Sequence, residues 1–440
     1  MDLKFGTDGI RGPVQTEITP EVCLRIGHAT GIVLKQEGLD TVMIGKDTRV
    51  SGYMLEAALE AGFIAAGVNV RLLGPIPTPG VAYLTKTFRK QFGLVISASH
   101  NSFLDNGIKI FDANGIKISR DIELRIEKIL KNNLDLVETL SLGKAESFHE
   151  STARYIEFCK STVPADITFN NLRIVVDCAN GACYKVSPAI FKELGAEVIE
   201  FGVNPDGFNI NHECGSTCPE LAQEMVLKHR ADYGVTLDGD GDRVILVDRE
   251  ANILDGDDLL YILAFSNPNR TGSWSGVVGT LMSNFGLEKA IQQLGYKFVR
   301  ADVGDKYVSQ MLTKKGWMLG GESSGHIICR DLVSTGDGTI AALKVISSLL
   351  LLEKDPKEVL ANYKKFPQVN INIPVKNKDI VNDSEIKSIV RDVESDITVG
   401  RVLVRASGTE NIIRVMVEAA EEDVASKFAK DISNLVKSKS

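Results

Sequence analysis

Short runs of aliphatic and β-branched residues alternate with amphipathic stretches over most of this chain. Residues 41–45, 68–73, 93–97, 172–178, 197–202, 234–237, 276–281 and 297–301 are apolar runs bounded by glycine or polar residues, the pattern of buried strands. Between them, apolar residues recur at helical spacing over 19–34, 51–66, 121–130, 153–161, 184–194, 287–294, 306–314 and 337–352. The first of these opens on Thr19 and Pro20, an N-cap followed by a first-turn proline. Such alternation predicts an α/β protein with parallel or mixed sheets. The end of the chain changes rhythm. Residues 369–375 alternate apolar and polar, and 401–405 and 412–417 read as strands, which predicts a smaller α+β domain. Polar, loop-like stretches near 142–150, 249–255 and 363–368 divide the chain into domains at 1–150, 151–252, 253–366 and 367–440. No strict short-period repeat is present. The acidic turns Asp112-Ala-Asn-Gly115 and Asp248-Arg-Glu-Ala-Asn252 recur, as related α/β units would have them.

Composition narrows the class. The 440 residues are 44% hydrophobic and 25% charged, ordinary values for a globular protein with several buried cores. A net charge of −8 without a basic face argues against nucleic-acid binding. No run of about 18 apolar residues exists, so no membrane span is expected. The most apolar stretch, 346–352, is short and lies between Lys344 and Glu353. The start, Met-Asp-Leu-Lys-Phe-Gly, has no secretory apolar region, and a cytoplasmic location is expected. Seven cysteines, an odd number, suit reduced thiols better than a disulfide framework. His212, Cys214 and Cys218 lie close together, but no second pair completes a zinc site.

The densest chemistry is Asp238-Gly-Asp-Gly-Asp-Arg243, between the apolar runs 233–237 and 244–248. Carboxylates on alternate residues of a glycine-rich loop are hard ligands for a hard cation such as Mg²⁺. The EF-hand reading fails, because Arg243 and Arg249 stand where that loop needs glycine and glutamate. Ile96-Ser-Ala-Ser-His-Asn101 ends a strand with a candidate serine, Ser99, but lacks the Gly-x-Ser-x-Gly elbow. His100 is a poor base for its own neighbour, since adjacent side chains of an extended strand diverge. Gly320-Gly-Glu-Ser-Ser-Gly-His326 can bring backbone and short polar side chains onto a sugar or phosphate. Arg405-Ala-Ser-Gly-Thr-Glu-Asn411, with Arg414, offers the donors a phosphate monoester requires. Gly6-Thr-Asp-Gly-Ile-Arg-Gly12 adds another glycine-rich loop, and Lys46-Asp-Thr-Arg49 adds positive charge. Taken singly, each loop also reads as a solvated turn. Taken together they suit phosphoryl transfer in a cleft between domains.

As a set, and in this order, these motifs resemble the α-D-phosphohexomutase superfamily over nearly the whole chain. The resemblance is to the branch that acts on amino-sugar phosphates. It rests there on Phe5-Gly-Thr-Asp-Gly-Ile-Arg-Gly12, the doubled glycine before Glu322, and Arg405-Ala-Ser-Gly-Thr-Glu410. It implies a phosphohexomutase-like architecture of four domains around a central cleft, three related mixed α/β domains and a smaller α+β one. It implies that Ser99 carries the phosphoryl group and, with Asp238, Asp240 and Asp242, holds Mg²⁺. Glu322, Ser324 and His326 would meet the sugar. Arg405, Ser407, Gly408, Thr409 and Arg414 would grip the non-reacting phosphate. Lys109 would assist as general acid or base, with Arg11, His100 and Arg243 flanking the transferring group. A hexosamine 1,6-bisphosphate or glucose 1,6-bisphosphate would serve as activator. A sugar phosphate is the implied partner, with no nucleic acid and no membrane, and a homodimer stays open. Where the family usually has proline, this chain has Ser102 and Asn411, which predicts looser loops there. A phosphomannomutase/phosphoglucomutase with the same chemistry on another sugar is the nearest rival reading, and a non-catalytic sugar-phosphate binder and a Mg²⁺-dependent phosphatase are rivals of other classes.

Overall fold

The computed structural model describes residues 3–6, 8–132, 134, 136–407 and 411–440. Three of its sheets share one plan. In the first, Thr41–Lys46 lies between Asn69–Pro75 and Phe92–Ile96, all parallel, and Asp105–Phe111 returns antiparallel beside Phe92–Ile96. In the second, Arg173–Asp177 lies between Glu197–Phe201 and Tyr233–Leu237, and Val244–Asp248 returns antiparallel. In the third, Gly276–Thr280 lies between Lys297–Ala301 and Leu319–Gly321, and Ile327–Cys329 returns antiparallel. Each sheet therefore has the spatial order second, first, third, fourth. The first sheet also gains Ile10–Pro13 and Ala145–Ser147 at its edges. The second gains Ile253–Leu254, so it runs two residues past the boundary expected at 252. The fourth sheet is antiparallel, with Ile412–Ala419 between Gln368–Pro374 and Gly400–Ala406.

The predicted helices lie within a few residues of their expected bounds. Pro20–Gln36, for example, is capped by the Thr19 side chain accepting from the Val22 amide. Among the described residues, six α-helices were not predicted, including Thr78–Phe88, Glu220–His229 and Gly256–Ser266. Gly256–Ser266 is buried on every side over its first nine residues, so it has no polar face to betray its period. One hydrophobic core runs through the first three domains, from Met43 and Val81 through Val176 and Leu237 to Val277 and Ile340. The fourth domain has its own core around Ile413, Val415 and Ile432. The apolar stretch noted above is the end of helix Gly338–Leu352, where Ile346 and Leu349 lie in the shared core and Leu351 is exposed. Among the described residues, no helix is long and apolar enough to cross a membrane.

Candidate active site

Strand Phe92–Ile96 delivers the chain to a tight loop in which Ser99 adopts left-handed backbone, φ 53°. That conformation is costly for a residue with a Cβ and persists only where its surroundings impose it. The Ser99 amide donates to Ser97 Oγ at 2.9 Å, and Ser97 Oγ donates to Asp47 Oδ2 at 2.6 Å. The Ser99 hydroxyl donates to Asp238 Oδ2 at 2.5 Å, joining the first domain to the second. The hydroxyl is thus directed at the carboxylate and not at the neighbouring His100. Burial, with Arg243 and Arg11 nearby, pushes the His100 imidazole down to about 4, so it is neutral at pH 7. Its Nδ1 is buried without a hydrogen-bond partner.

The Asp238 loop turns between Tyr233–Leu237 and Val244–Asp248. Gly241 supplies left-handed backbone, φ 73°. Gly239 permits close approach, since a Cβ there would sit 2.6 Å from the Ser99 carbonyl oxygen. Asp238, Asp240 and Asp242 are all buried, with ligand oxygens within 4.8 Å of one another. Burial and the two neighbouring carboxylates push Asp238 well above the usual carboxylate range. Burial opposes ionisation of Asp242 too, but Lys109 and His326 outweigh it and hold that carboxyl well below. Lys109 Nζ donates to Asp240 Oδ2 at 2.7 Å and to Asp242 Oδ2 at 2.9 Å. Thr78 Oγ1 donates to Asp240 Oδ2 at 2.6 Å. The three crowded carboxyls repel one another's charge, as the raised Asp238 shows, and a dication would relieve that repulsion. Asp240 Oδ1 and Asp242 Oδ1 are buried without hydrogen-bond partners. The group thus fits a small divalent cation in both charge and unused ligand atoms.

Cationic groups gather around this pair of loops. Arg11 pairs with Asp8, and Asp8 also accepts from Lys117, which reaches Asp305 of the third domain at 2.5 Å. The Arg243 amide donates to Asp238 Oδ1 at 3.1 Å. The Nε groups of Arg11 and Arg243 are buried and lack hydrogen-bond partners, as expected of donors awaiting an anion. In the third domain, Glu322 accepts from the Gly304 amide at 2.9 Å and burial raises its carboxyl. Ser324 is exposed on the same loop, whereas His326 is buried, with Nδ1 3.6 Å from Asp242 Oδ1. The Val244 amide donates to the Gly325 carbonyl at 3.1 Å, so this loop docks on the metal-loop hairpin.

The fourth domain brings Arg405 and Arg414 opposite each other on neighbouring strands. Like charges in register cost stability unless an anion lies between them. Both line a cleft of about 790 Å³ with Ser407, Arg120, Lys306 and Tyr307. Burial, and then Arg414, push the Arg405 guanidinium below its ordinary value, and its Nε has no partner. Gly408 and Thr409 lie outside the described residues.

Comparison with known families matches all four domains. Residues 2–136, 153–252 and 255–366 match the phosphoglucomutase/phosphomannomutase alpha/beta/alpha domains I, II and III, and 371–435 the C-terminal domain. The chain belongs to the phosphohexomutase family. It is an isomerase of the mutase type, and the shared plan of its first three sheets is the family's repeated domain. The chain is 52% identical to a phosphoglucosamine mutase of Legionella pneumophila (strain Lens), over 98% of this chain and 97% of that one. It is 53% identical to one from Polynucleobacter asymbioticus, over 98% of each. Among solved structures it resembles the Aspergillus fumigatus N-acetylphosphoglucosamine mutase in complex with GlcNAc-6P and magnesium. That likeness has a TM-score of 0.71 at 18% identity, covering all of this chain and 96% of the other.

The structure thus brings Ser99, the three aspartates, Lys109, Arg11, His100 and Arg243 together, with His326 against Asp242. Arg405, Ser407 and Arg414 stand apart, across the cleft. Sequence reasoning missed Asp8 and Lys117, and it credited Arg49 only with charge. Asp8 lay inside a quoted motif, but nothing in its spacing announced that Lys117 would pair with it. Arg49 is wholly buried beneath the serine loop.

Proposed function

We propose that this protein is a phosphoglucosamine mutase that interconverts glucosamine 6-phosphate and glucosamine 1-phosphate in the cytoplasm. The observation that carries the mechanism is Ser99, held in left-handed backbone with its hydroxyl 2.5 Å from Asp238 of the metal-type loop. In its phosphorylated form Ser99 donates the phosphoryl group to O1 or O6 of the hexosamine phosphate. The 1,6-bisphosphate turns over in the cleft and returns its other phosphoryl group to Ser99. A trace of 1,6-bisphosphate serves as activator by phosphorylating the resting enzyme.

Asp238, Asp240 and Asp242, with a phosphate oxygen on Ser99, would hold Mg²⁺. When bound, the ion supplies charge neutralisation for the transferring group. Arg11 and Arg243 direct buried N–H groups at the same place. Three carboxylates hold Lys109 well above its ordinary value against the pull of burial, so it stays protonated. That suits a charge partner and hydrogen-bond donor; general-acid work would require its hold on the proton to loosen once substrate is bound. His100, neutral with Nδ1 unengaged, can accept a bond from a sugar hydroxyl. Glu322 and Ser324 orient the sugar, whereas His326, buried with Nε2 accepting from the Gly336 amide at 3.1 Å and Nδ1 facing Asp242, braces the metal loop instead. Arg405, Ser407, Gly408, Thr409 and Arg414 grip the other phosphate. That grip relies on charge and hydroxyls, because it must accept either end of the sugar. Ser99→Ala tests the reading. Turnover should fall on the order of 10⁴-fold or more, and a variant with full activity would refute the role of Ser99.

A further inference from the structure

Arg49 is the largest of the fully buried side chains, and the chemistry above makes no use of it. Its guanidinium lies at the centre of the serine loop. Nη2 donates to the carbonyls of Ser99 at 2.9 Å and Asn101 at 2.8 Å. Nη1 donates to the carbonyls of Ser102 and Asp105, the latter at 3.1 Å. Nε donates to Asp47 Oδ2 at 2.8 Å. All five N–H donors of an arginine are therefore engaged. Asp47 Oδ2 also accepts from Ser97 Oγ, which in turn accepts from the Ser99 amide. Both peptide groups of Ser99 are thus tied to one ion pair. From the second domain, Asn211 Nδ2 donates to the carbonyls of Ser99 at 2.9 Å and Asn101 at 3.0 Å.

Of the four carbonyls turned inward on Arg49, those of Ser99 and Asn101 also accept from Asn211 and that of Ser102 from the Asp105 amide at 3.2 Å, but only the guanidinium joins all four. A lysine has three donors on a single atom and cannot span them. The loop carries Ser102 where a proline would restrict the backbone, and Arg49 holds the carbonyl of that residue. A left-handed Ser99 must be imposed from outside, and no other group among the described residues touches as much of its loop.

We propose that Arg49 is a positioning residue for phosphoryl transfer. With Asp47 and Asn211, it fixes the backbone that aims Ser99 Oγ at the metal loop. The proposal rests on Ser99 as the phosphoryl carrier. The test uses the full chain. Steady-state mutase kinetics on glucosamine 6-phosphate and single-turnover transfer from phosphorylated enzyme are measured for wild type, Arg49→Lys and Asn211→Ala. Circular dichroism and melting temperature report folding. Arg49→Lys should lower kcat and the single-turnover rate about 100-fold, as misplacement of a reacting atom does, with KM within about threefold. Asn211→Ala removes two bonds from a partly exposed side chain and should lower kcat about tenfold, again without raising KM. The ³¹P resonance of phosphoserine 99 should broaden in both.

A folded Arg49→Lys with wild-type kcat overturns the proposal. So does a loss that merely follows the unfolded fraction. Should Arg49→Lys fail to fold, Asn211→Ala decides, and an unchanged kcat there overturns it. The wild-type control separates the two readings. An inactive wild type sinks the mutase assignment and this proposal with it. An active wild type beside an unimpaired Arg49→Lys sinks this proposal alone.

Discussion

At the scale of single residues, the site is an exercise in charge balance. Asp240 accepts from both Thr78 and Lys109 and keeps one buried oxygen unused. Asp240→Asn removes one negative charge while leaving most of the shape. Its Mg²⁺ requirement, read as the activating concentration in the mutase assay, should rise at least about tenfold. An unchanged requirement would count against the metal loop. The aspartates were legible in the sequence because alternation with glycine allows three side chains to converge from one short turn. Arg405 and Arg414 were legible as donors, but their register opposite each other was not. Arg49 was illegible, since burial of an arginine beneath carbonyls of its own domain leaves no spacing to read.

At the scale of elements, the three chemical loops occupy one position. Ser99, Asp238 to Asp242, and Glu322 to His326 all lie where the third parallel strand of a sheet hands over to its antiparallel fourth. Most parallel strands were visible as apolar runs, whereas the short parallel strand Leu319–Gly321 and its antiparallel partner Ile327–Cys329 were hidden in a glycine-rich motif. Helix Gly338–Leu352 shows what burial costs at an element's end. Its cap, Asp337, accepts from the Ile340 amide at 2.9 Å and from Tyr155 Oη at 2.7 Å. Burial pushes its carboxyl from 3.8 up to about 6, against the pull of those bonds. A raised carboxyl favours the protonated form in the fold. Its contribution is complete below pH 3.8 and is lost as the pH rises through about 6. The two-unit shift corresponds to about 3 kcal/mol. Denaturant titrations between pH 4 and 7 should show this slope in the wild type, and Asp337→Asn should reduce it, leaving the share of Asp257 and Asp258, which burial raises to about 7 and about 6. An equal slope in both would assign it to other groups.

At the scale of the molecule, one core unites three domains and the fourth is attached by polar contacts. Glu418, wholly buried, pairs with Arg401 and accepts from the Phe285 amide at 3.0 Å and Gln368 Nε2 at 3.1 Å. Arg401 donates to the carbonyls of Leu281 at 2.7 Å and Ser283 at 2.8 Å, across the domain boundary. Glu418→Ala leaves the partly buried Arg401 charge without its carboxylate and the Phe285 amide without its acceptor, at a cost of about 3 kcal/mol. Calorimetry should show the fourth domain melting earlier, with the transition of the other three little changed. A single transition shifted as a whole would mean that the fourth domain is not separately stable.

The domain count and order were readable because polar stretches fall between the sheets. The size of the shared core was not, because contacts between distant segments leave no local pattern. The central claim is phosphoryl transfer within an amino-sugar phosphate. It is tested by following glucosamine 6-phosphate to glucosamine 1-phosphate with Mg²⁺ and a trace of 1,6-bisphosphate, beside glucose and mannose phosphates. Preferential conversion of the amino sugar, with phosphate found on Ser99, is the expected result. Faster turnover of the neutral sugars, or release of inorganic phosphate in place of an isomer, would contradict it.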